Sequence, residues 1–219
     1  MTTRAQFRED LRLQLSDRSF WRDFMLNQWI NDAIHEYSIN FPTESIETLD
    51  GDGSAREFTF TTSPVLAVLR VEYPTGETPP SFINQKSQVD AAFYQGPYYD
   101  LSGEPITTII LGETPSASEH IKVWLQTTCG LPASDASSLE VPDFDLELLR
   151  LYCVWKGVAH LELSADIPAD RKSALVAALG LNAVRAERLW RNRLRDTKEA
   201  RSKGGWSGPW TVDSKDRIY

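Results

Sequence analysis

The side chains able to do chemistry in this chain are few: His35, His120 and His160, Cys129 and Cys153, and the closely spaced carboxylates of Asp143-Phe144-Asp145. A zinc site takes His, Cys or carboxylate ligands in clustered pairs, and acyl transfer takes a Ser or Cys nucleophile beside a His base. The three histidines fall on separate expected elements, and His35-Glu36 lacks the second histidine of a zinc-protease helix. His35 and His160 read as solvent-facing or as acceptors of a core hydrogen bond. Neither cysteine has a Cys-x-x-Cys partner, so both read as small buried hydrophobes. The aspartate pair suits the start of a helix, where carboxylates meet the positive end of the helix dipole. No Gly-x-Ser-x-Gly elbow, phosphate loop or Gly-x-Gly-x-x-Gly turn is present. No catalytic residue, no metal ligand and no cofactor site emerges, and the chain is expected not to be an enzyme.

Four stretches would have to carry whatever else the protein does. Residues 1–42 read as helical: Phe7, Leu11 and Leu15 share a face, Ser16-Asp17 interrupts, and Phe24, Trp29, Ile30, Ala33, Ile34 and Tyr37 recur at helical spacing. Asp23 suits the start of the second helix, and Phe41-Pro42 ends it because a residue before proline is pushed out of the helical region. Residues 43–142 change to period-two alternation, in Glu57–Thr61, Val65–Tyr73, Ile106–Leu111 and His120–Thr127, with turn residues between. They predict a small antiparallel β domain inserted into a helical platform. In residues 143–203, Asp143 is expected to cap a helix to about Leu163 that is apolar nearly all round. Such a helix must be covered on every side, and a neighbouring subunit is one source of that cover. A second, long helix is expected from about Asp170 to Ser202, stopped by Gly204-Gly205. Residues 204–219 form an extended tail carrying Trp206, Trp210, Val212, Ile218 and Tyr219, aromatic and apolar groups that are costly to leave in water. The fold class is therefore α+β: N-terminal helices plus two C-terminal helices, an inserted β domain and a tail.

The chain has 219 residues and a formal net charge of −8. That charge is unevenly distributed. Residues 41–170 hold six Lys/Arg against twenty acids, whereas residues 171–203 hold ten Lys/Arg against Glu187, Asp196 and Glu199. An acidic body beside a basic helix favours head-to-tail contacts or the steering of a charged partner. No run approaches the ~18 apolar residues of a membrane span. The N-terminus shows no signal-peptide pattern, and two cysteines are too few for a disulfide framework, so synthesis in a reducing cytoplasm is expected.

The order of elements resembles the head–tail adaptor (connector, or head-completion) proteins of tailed bacteriophages. Over roughly residues 3–200 the resemblance rests on Leu11-x-x-x-Leu15-x-Asp17 leading to Phe24-x-x-x-x-Trp29-Ile30-Asn31-x-Ala33. It continues through Ser63-Pro64-Val65-Leu66-x-Val68 and Tyr94-Gln95-Gly96-Pro97-Tyr98-Tyr99-Asp100. The last parts are Ile109-Ile110-Leu111-Gly112-Glu113-Thr114-Pro115, and Pro142-Asp143-x-x-Leu146-x-x-x-Arg150-Leu151-Tyr152 running to Ala165-Asp166. Two features depart from the family: Cys153-Val154-Trp155 stands where small residues are usual, and the aromatic tail has no fixed counterpart.

The resemblance implies a structural virion protein in the particle neck, made in the host cytoplasm. It implies a ring of on the order of twelve copies, with a portal protein above and a tail or stopper protein below. DNA would pass through the lumen without specific binding, and no membrane would be involved. On this reading Tyr152, Trp155, Arg185 and Arg188 belong to the subunit interface. Portal contact falls to Trp206, Trp210, Val212, Ile218 and Tyr219, with Arg191 and Arg195. Two alternatives stay open: nucleic-acid binding through Arg185, Arg188, Arg191, Arg193 and Arg195, and a ligand-binding β module with Tyr94, Tyr98 and Tyr99 as its stacking platform.

Overall fold

The computed structural model describes residues 1–16, 20–62, 64–85, 97–101, 106–165 and 167–203. The tail 204–219 and Tyr94 lie outside them. The chain is α+β and divides into two units, residues 1–37 with 130–219, and residues 38–129.

The first unit is helical. Helix α1 (Arg4–Gln14) opens on a reciprocal cap: the Thr3 hydroxyl accepts the Gln6 N–H at 3.3 Å and the Gln6 side chain accepts the Thr3 N–H at 3.0 Å. Phe7 and Leu11, and Leu15 just past the helix end, are fully buried. Arg4, Arg8 and Arg12 recur four residues apart along the same helix. Arg8 grips Asp135 with two nitrogens at 3.1 and 2.9 Å, Arg4 reaches the same carboxylate, and Arg12 pairs with Asp23 and Glu9. These bonds hold the Asp135 carboxyl below its ordinary range. They tie α1 to the start of α2 (Asp23–Asn40) and to the loop 130–139, whose backbone also meets α1 through Arg4 N–H to Ser137 O and Ala5 N–H to Asp135 O. Residues 130–142, expected within the β insertion, are thereby held against α1 in the helical unit.

A 3-10 turn (Asp143–Asp145) then leads into α3 (Leu146–Leu163). Asp143 makes no side-chain cap, contrary to expectation; Asp145 turns inward instead. Helix α3 buries Leu146, Leu148, Leu149, Tyr152, Cys153, Val154, Gly157, Val158 and Leu161. Its cover comes from this chain and needs no neighbouring subunit: α1, α2, α4 (Ala169–Leu179) and α5 (Ala183–Lys203) all lie against it. Gly157 permits this closeness, since a Cβ there would stand 3.0 Å from a Leu15 methyl and 3.4 Å from the Trp29 ring. The expected single long helix after Asp170 is two helices. Gly180, at φ 60°, donates its N–H to the Val176 and Ala177 carbonyls and ends α4. The Asn182 side chain then accepts the Arg185 N–H at 2.8 Å and starts α5.

The second unit is a seven-stranded sheet: β1 (Thr43–Asp50), β2 (Glu57–Thr59), β3 (Val65–Glu72), β4 (Phe82–Gln85), β5 (Tyr98–Leu101), β6 (Thr108–Leu111) and β7 (His120–Thr127), in the order β1-β7-β3-β4-β5-β6-β2. Four of these match expected strands. The sheet is not wholly antiparallel as expected: β4 and β5 pair in parallel, Asn84 opposite Tyr98. Every strand contributes to one core that includes Leu49, Phe58, Val71, Ile83, Tyr99, Ile109 and Val123, so the sheet curls around its own interior. Tyr99 lies in that core at 4% exposure and is not available for a stacking platform.

Glu47 of β1 is a buried charge inside this unit. Its carboxylate accepts the Thr61 N–H at 2.6 Å, the Thr61 hydroxyl at 2.7 Å and the Thr62 N–H at 3.1 Å, fastening the β2–β3 connection to β1. Burial alone would raise its pKa, but these hydrogen bonds outweigh it and hold the pKa below the ordinary range of a glutamate. A lowered folded-state pKa gives stability that is complete above the unfolded value and fades as pH falls through the folded one. Glu47→Gln is expected to cost about 1–2 kcal/mol at neutral pH. Urea titrations at pH 7 and pH 3 check this: the gap between variant and parent should narrow at the lower pH.

Candidate functional site

Helix α5 holds eight of the chain's 23 Lys and Arg residues, and its position follows from a narrow apolar stripe. Ala186 and Trp190 are buried, while Leu194, Thr197 and Arg201 are half-buried on the same side. Trp190 stacks on Trp155 of α3, with ring centres 5.3 Å apart and planes 13° from parallel, and meets Tyr152 edge-on at 5.4 Å. Tyr152 and Trp155, expected at the subunit interface, are thus brought together inside the unit, where they anchor α5. Burial, and then the charges of Asp32 and Glu36, push the Tyr152 hydroxyl up to about 12. Burial likewise pushes the Cys153 thiol up, which leaves it protonated and unreactive at neutral pH.

The opposite side of α5 is exposed and basic. Arg185, Arg188, Arg191, Arg195 and Lys198 all face solvent there, interspersed with exposed Val184 and Leu189, while Arg193 is exposed at the edge of the stripe. Arg191 pairs with Glu187 at 2.7 Å and Arg195 approaches Asp196 at 3.7 Å. Arg185 and Arg188 make no ion pair with a described residue. The structure therefore brings the five arginines of the sequence reading onto one helix, three of them, Arg185, Arg188 and Arg193, without an ion pair to a described residue.

The C-terminal end of α5 is held by a three-residue junction that sequence reasoning missed. Asp145, 3% exposed, accepts the Tyr37 hydroxyl at 2.6 Å and pairs with the Arg201 guanidinium, which also reaches the Tyr37 oxygen at 3.1 Å. Tyr37 donates to the carboxylate and accepts from Arg201, so the three groups close a ring. Burial, followed by the bond to Asp145, raises the Tyr37 pKa well above its ordinary value. The one signal in the sequence is the second carboxylate of Asp143-Phe144-Asp145. Tyr37 and Arg201 stand far from it along the chain and carry no pattern of their own.

Beside this junction lies a groove of 580 Å³, between Phe144 and Asp145 on one wall and Arg193, Asp196, Thr197, Ala200 and Arg201 on the other. Phe144 is 62% exposed there, with the Arg201 guanidinium 5.9 Å from its ring. The groove is mainly apolar, and its chemistry is that of a docking surface.

No protein-family model matches the chain, and no curated protein matches it. Among solved structures, it is similar to a chain in the neck of an empty GTA particle computed with C6 symmetry, at 15% identity and TM-score 0.32, covering 76% of this chain and 80% of that one. It is also similar to a chain in the neck of a native GTA particle computed with C12 symmetry, at 15% identity and TM-score 0.29, covering 85% of this chain and 86% of that one.

The remaining chemical candidates are separate from α5. His35 is exposed, His160 lies 6.0 Å from the Trp29 ring, and His120 meets Asp50 at 2.7 Å on exposed strand ends. Cys129 and Cys153 are buried and unbridged. Among the described residues, no three His, Cys, Asp or Glu side chains converge as a metal site would require. Nor is any described helix long and apolar enough to cross a membrane. Trp206, Trp210, Val212, Ile218 and Tyr219 lie outside the described residues.

Proposed function

We propose that this chain is a structural, non-enzymatic virion protein. It is a head–tail adaptor that assembles as a ring beneath a portal, joins the filled capsid to the tail and continues the DNA channel. The observation that carries the reading is the partition of charge. Residues 38–129 hold four Lys/Arg against twelve acids, which is the whole net charge of −8, while residues 1–37 and 130–219 balance and display the arginines of α5. One polypeptide thus carries two surfaces of opposite sign on different units. The contact they favour is heterologous, basic helix of one copy to acidic sheet of the next, and such contacts form a ring where the rotation between copies closes. Carboxylates facing the lumen would repel phosphate and let DNA slide. The order of motifs from Leu11 to Asp166 supports the same reading.

In this reading Arg185 and Arg188 face the neighbouring copy, and the aromatic tail, with Arg191 and Arg195, contacts the portal; a tail or stopper protein lies below. The test is the mass of the species formed when purified full-length chain is added to the cognate portal ring. A stoichiometric ring of adaptors is expected, with assembly falling as salt rises from about 0.05 to 0.5 M because exposed charges are screened within a few ångströms at the upper end. Arg185→Glu with Arg188→Glu should weaken assembly at least about tenfold while leaving the circular dichroism spectrum unchanged. Absence of any portal-bound species at low salt would overturn the reading.

The arginine row favours one second reading, phosphate tracking along DNA. Salt-sensitive retention of the free chain on duplex DNA, abolished by the same double substitution, would select it.

A further inference from the structure

We infer that the groove at the end of α5 is the berth of this chain's own C-terminal segment, residues 204–219, in the free subunit. The groove's position makes that segment the nearest occupant. Two of its lining residues, Ala200 and Arg201, sit within a turn of Lys203, where α5 ends, and sixteen further residues of the chain begin there. Gly204-Gly205 comes first, and paired glycines after a helix allow the backbone to reverse direction.

The lengths agree. The wall from Arg193 to Arg201 spans eight residues of helix, about 12 Å. Trp206 and Trp210 are four residues apart, about 13 Å in extended chain. A segment folded back along α5 would set one indole near Arg201 and Ala200 and the other near Arg193.

The chemistry agrees as well. Phe144 leaves most of its ring in water, and the side chains around it turn mainly their carbon-bearing surface toward the groove. The segment supplies two indoles, Val212 and Ile218, and its Lys215 and Arg217 offset Asp213 and Asp216. Arg193 and Arg201 offer guanidinium groups to indole faces. A small ionic ligand finds less: Asp145, at the groove's edge, is already committed to Tyr37 and Arg201. Tethering raises the local concentration of the segment to the millimolar range for a short linker, so modest contacts suffice.

A segment stored this way is exposed to a partner only when it is displaced, which would keep free subunits from presenting their tryptophans to one another. The inference does not depend on the identity of that partner. It is tested on the full-length chain alone, by hydrogen exchange and by chymotrypsin cleavage at Trp206 and Trp210. Two variants change the groove at exposed positions: Ala200→Trp fills it and Phe144→Ala removes its wall. The expected result is protection of residues 204–212 in the parent and about tenfold faster exchange and cleavage in both variants, with α3 unaffected. Three results would overturn it: no protection in the parent, protection unchanged in both variants, or protection that disappears on dilution, which would place the segment in another copy's groove.

Discussion

Trp190→Ala detaches the first half of α5 from the helical unit while the β unit stays folded: that is the expected result, and it is a large effect for a single substitution. Among the described residues, α5 buries only Ala186 and Trp190, so the docking of its first half depends on one indole. Removing a buried Trp costs about 3–5 kcal/mol in transfer and cavity terms. Stacking on Trp155 and edge contact with Tyr152 add about 0.5–1.5 kcal/mol per aromatic pair. The first half of α5 cannot compensate, because its outward face is already in solvent and the bonds of Arg201 to Asp145 and Tyr37 hold only the helix end. Hydrogen exchange should show the amides of 186–200 losing protection, with β3 and β7 unchanged. Trp190→Phe should recover much of the loss. Because the arginines would no longer be presented from a fixed helix, Trp190→Ala should also weaken assembly with the portal, as is expected of Arg185→Glu with Arg188→Glu but by a different route. Unchanged protection of α5 in Trp190→Ala would show that the helix is held elsewhere.

The fold was legible where periodicity and burial coincide. In β7, Ile121, Val123 and Leu125 alternate and all three point into the core, and the strand is found at its expected residues. The same logic hides β1. Its inward positions include Glu47, at 8% exposure, while Ile46 faces out at 55%, so its pattern reads inverted and the strand is lost among polar residues. β5 was hidden by the glycine and proline that precede it. The break between α4 and α5 was written in Gly180 and Asn182, yet helical periodicity runs through both and masks it. The apolar surface of α3 was correctly read as needing cover, but a one-dimensional pattern cannot say whose. Four helices of the same chain supply it. For the site, the arginines of α5 were legible as a run on a helix. What fixes the helix was not, since Trp155 and Trp190 look like any aromatic, and Tyr37, Asp145 and Arg201 meet only through the tertiary fold.

That last junction is the second place where one substitution should have a large and local effect. Asp145→Ala removes the acceptor shared by Tyr37 and Arg201 and leaves a buried hydroxyl and a guanidinium, whose side chain is 30% exposed, without their common partner. For a fully buried pair the loss is about 3–5 kcal/mol. Water can reach Arg201, so about 2–3 kcal/mol is expected here. Tyr37→Phe deletes one neutral donor and should cost about 1 kcal/mol. Since both changes break the same ring of bonds, their costs should not add in the double variant. The phenol also gives the junction a pH signature. Its pKa is raised above the ordinary value of a tyrosine in the folded chain, so its contribution is complete below that ordinary value and declines as pH rises toward the folded-state pKa. The difference in stability between parent and Tyr37→Phe, measured by urea titration, should therefore shrink above pH 10. Hydrogen exchange distinguishes this lesion from that of Trp190: Asp145→Ala should free residues 193–203 and leave the first half of α5 in place. If both halves are released together, Tyr37, Asp145 and Arg201 hold the whole helix rather than its end.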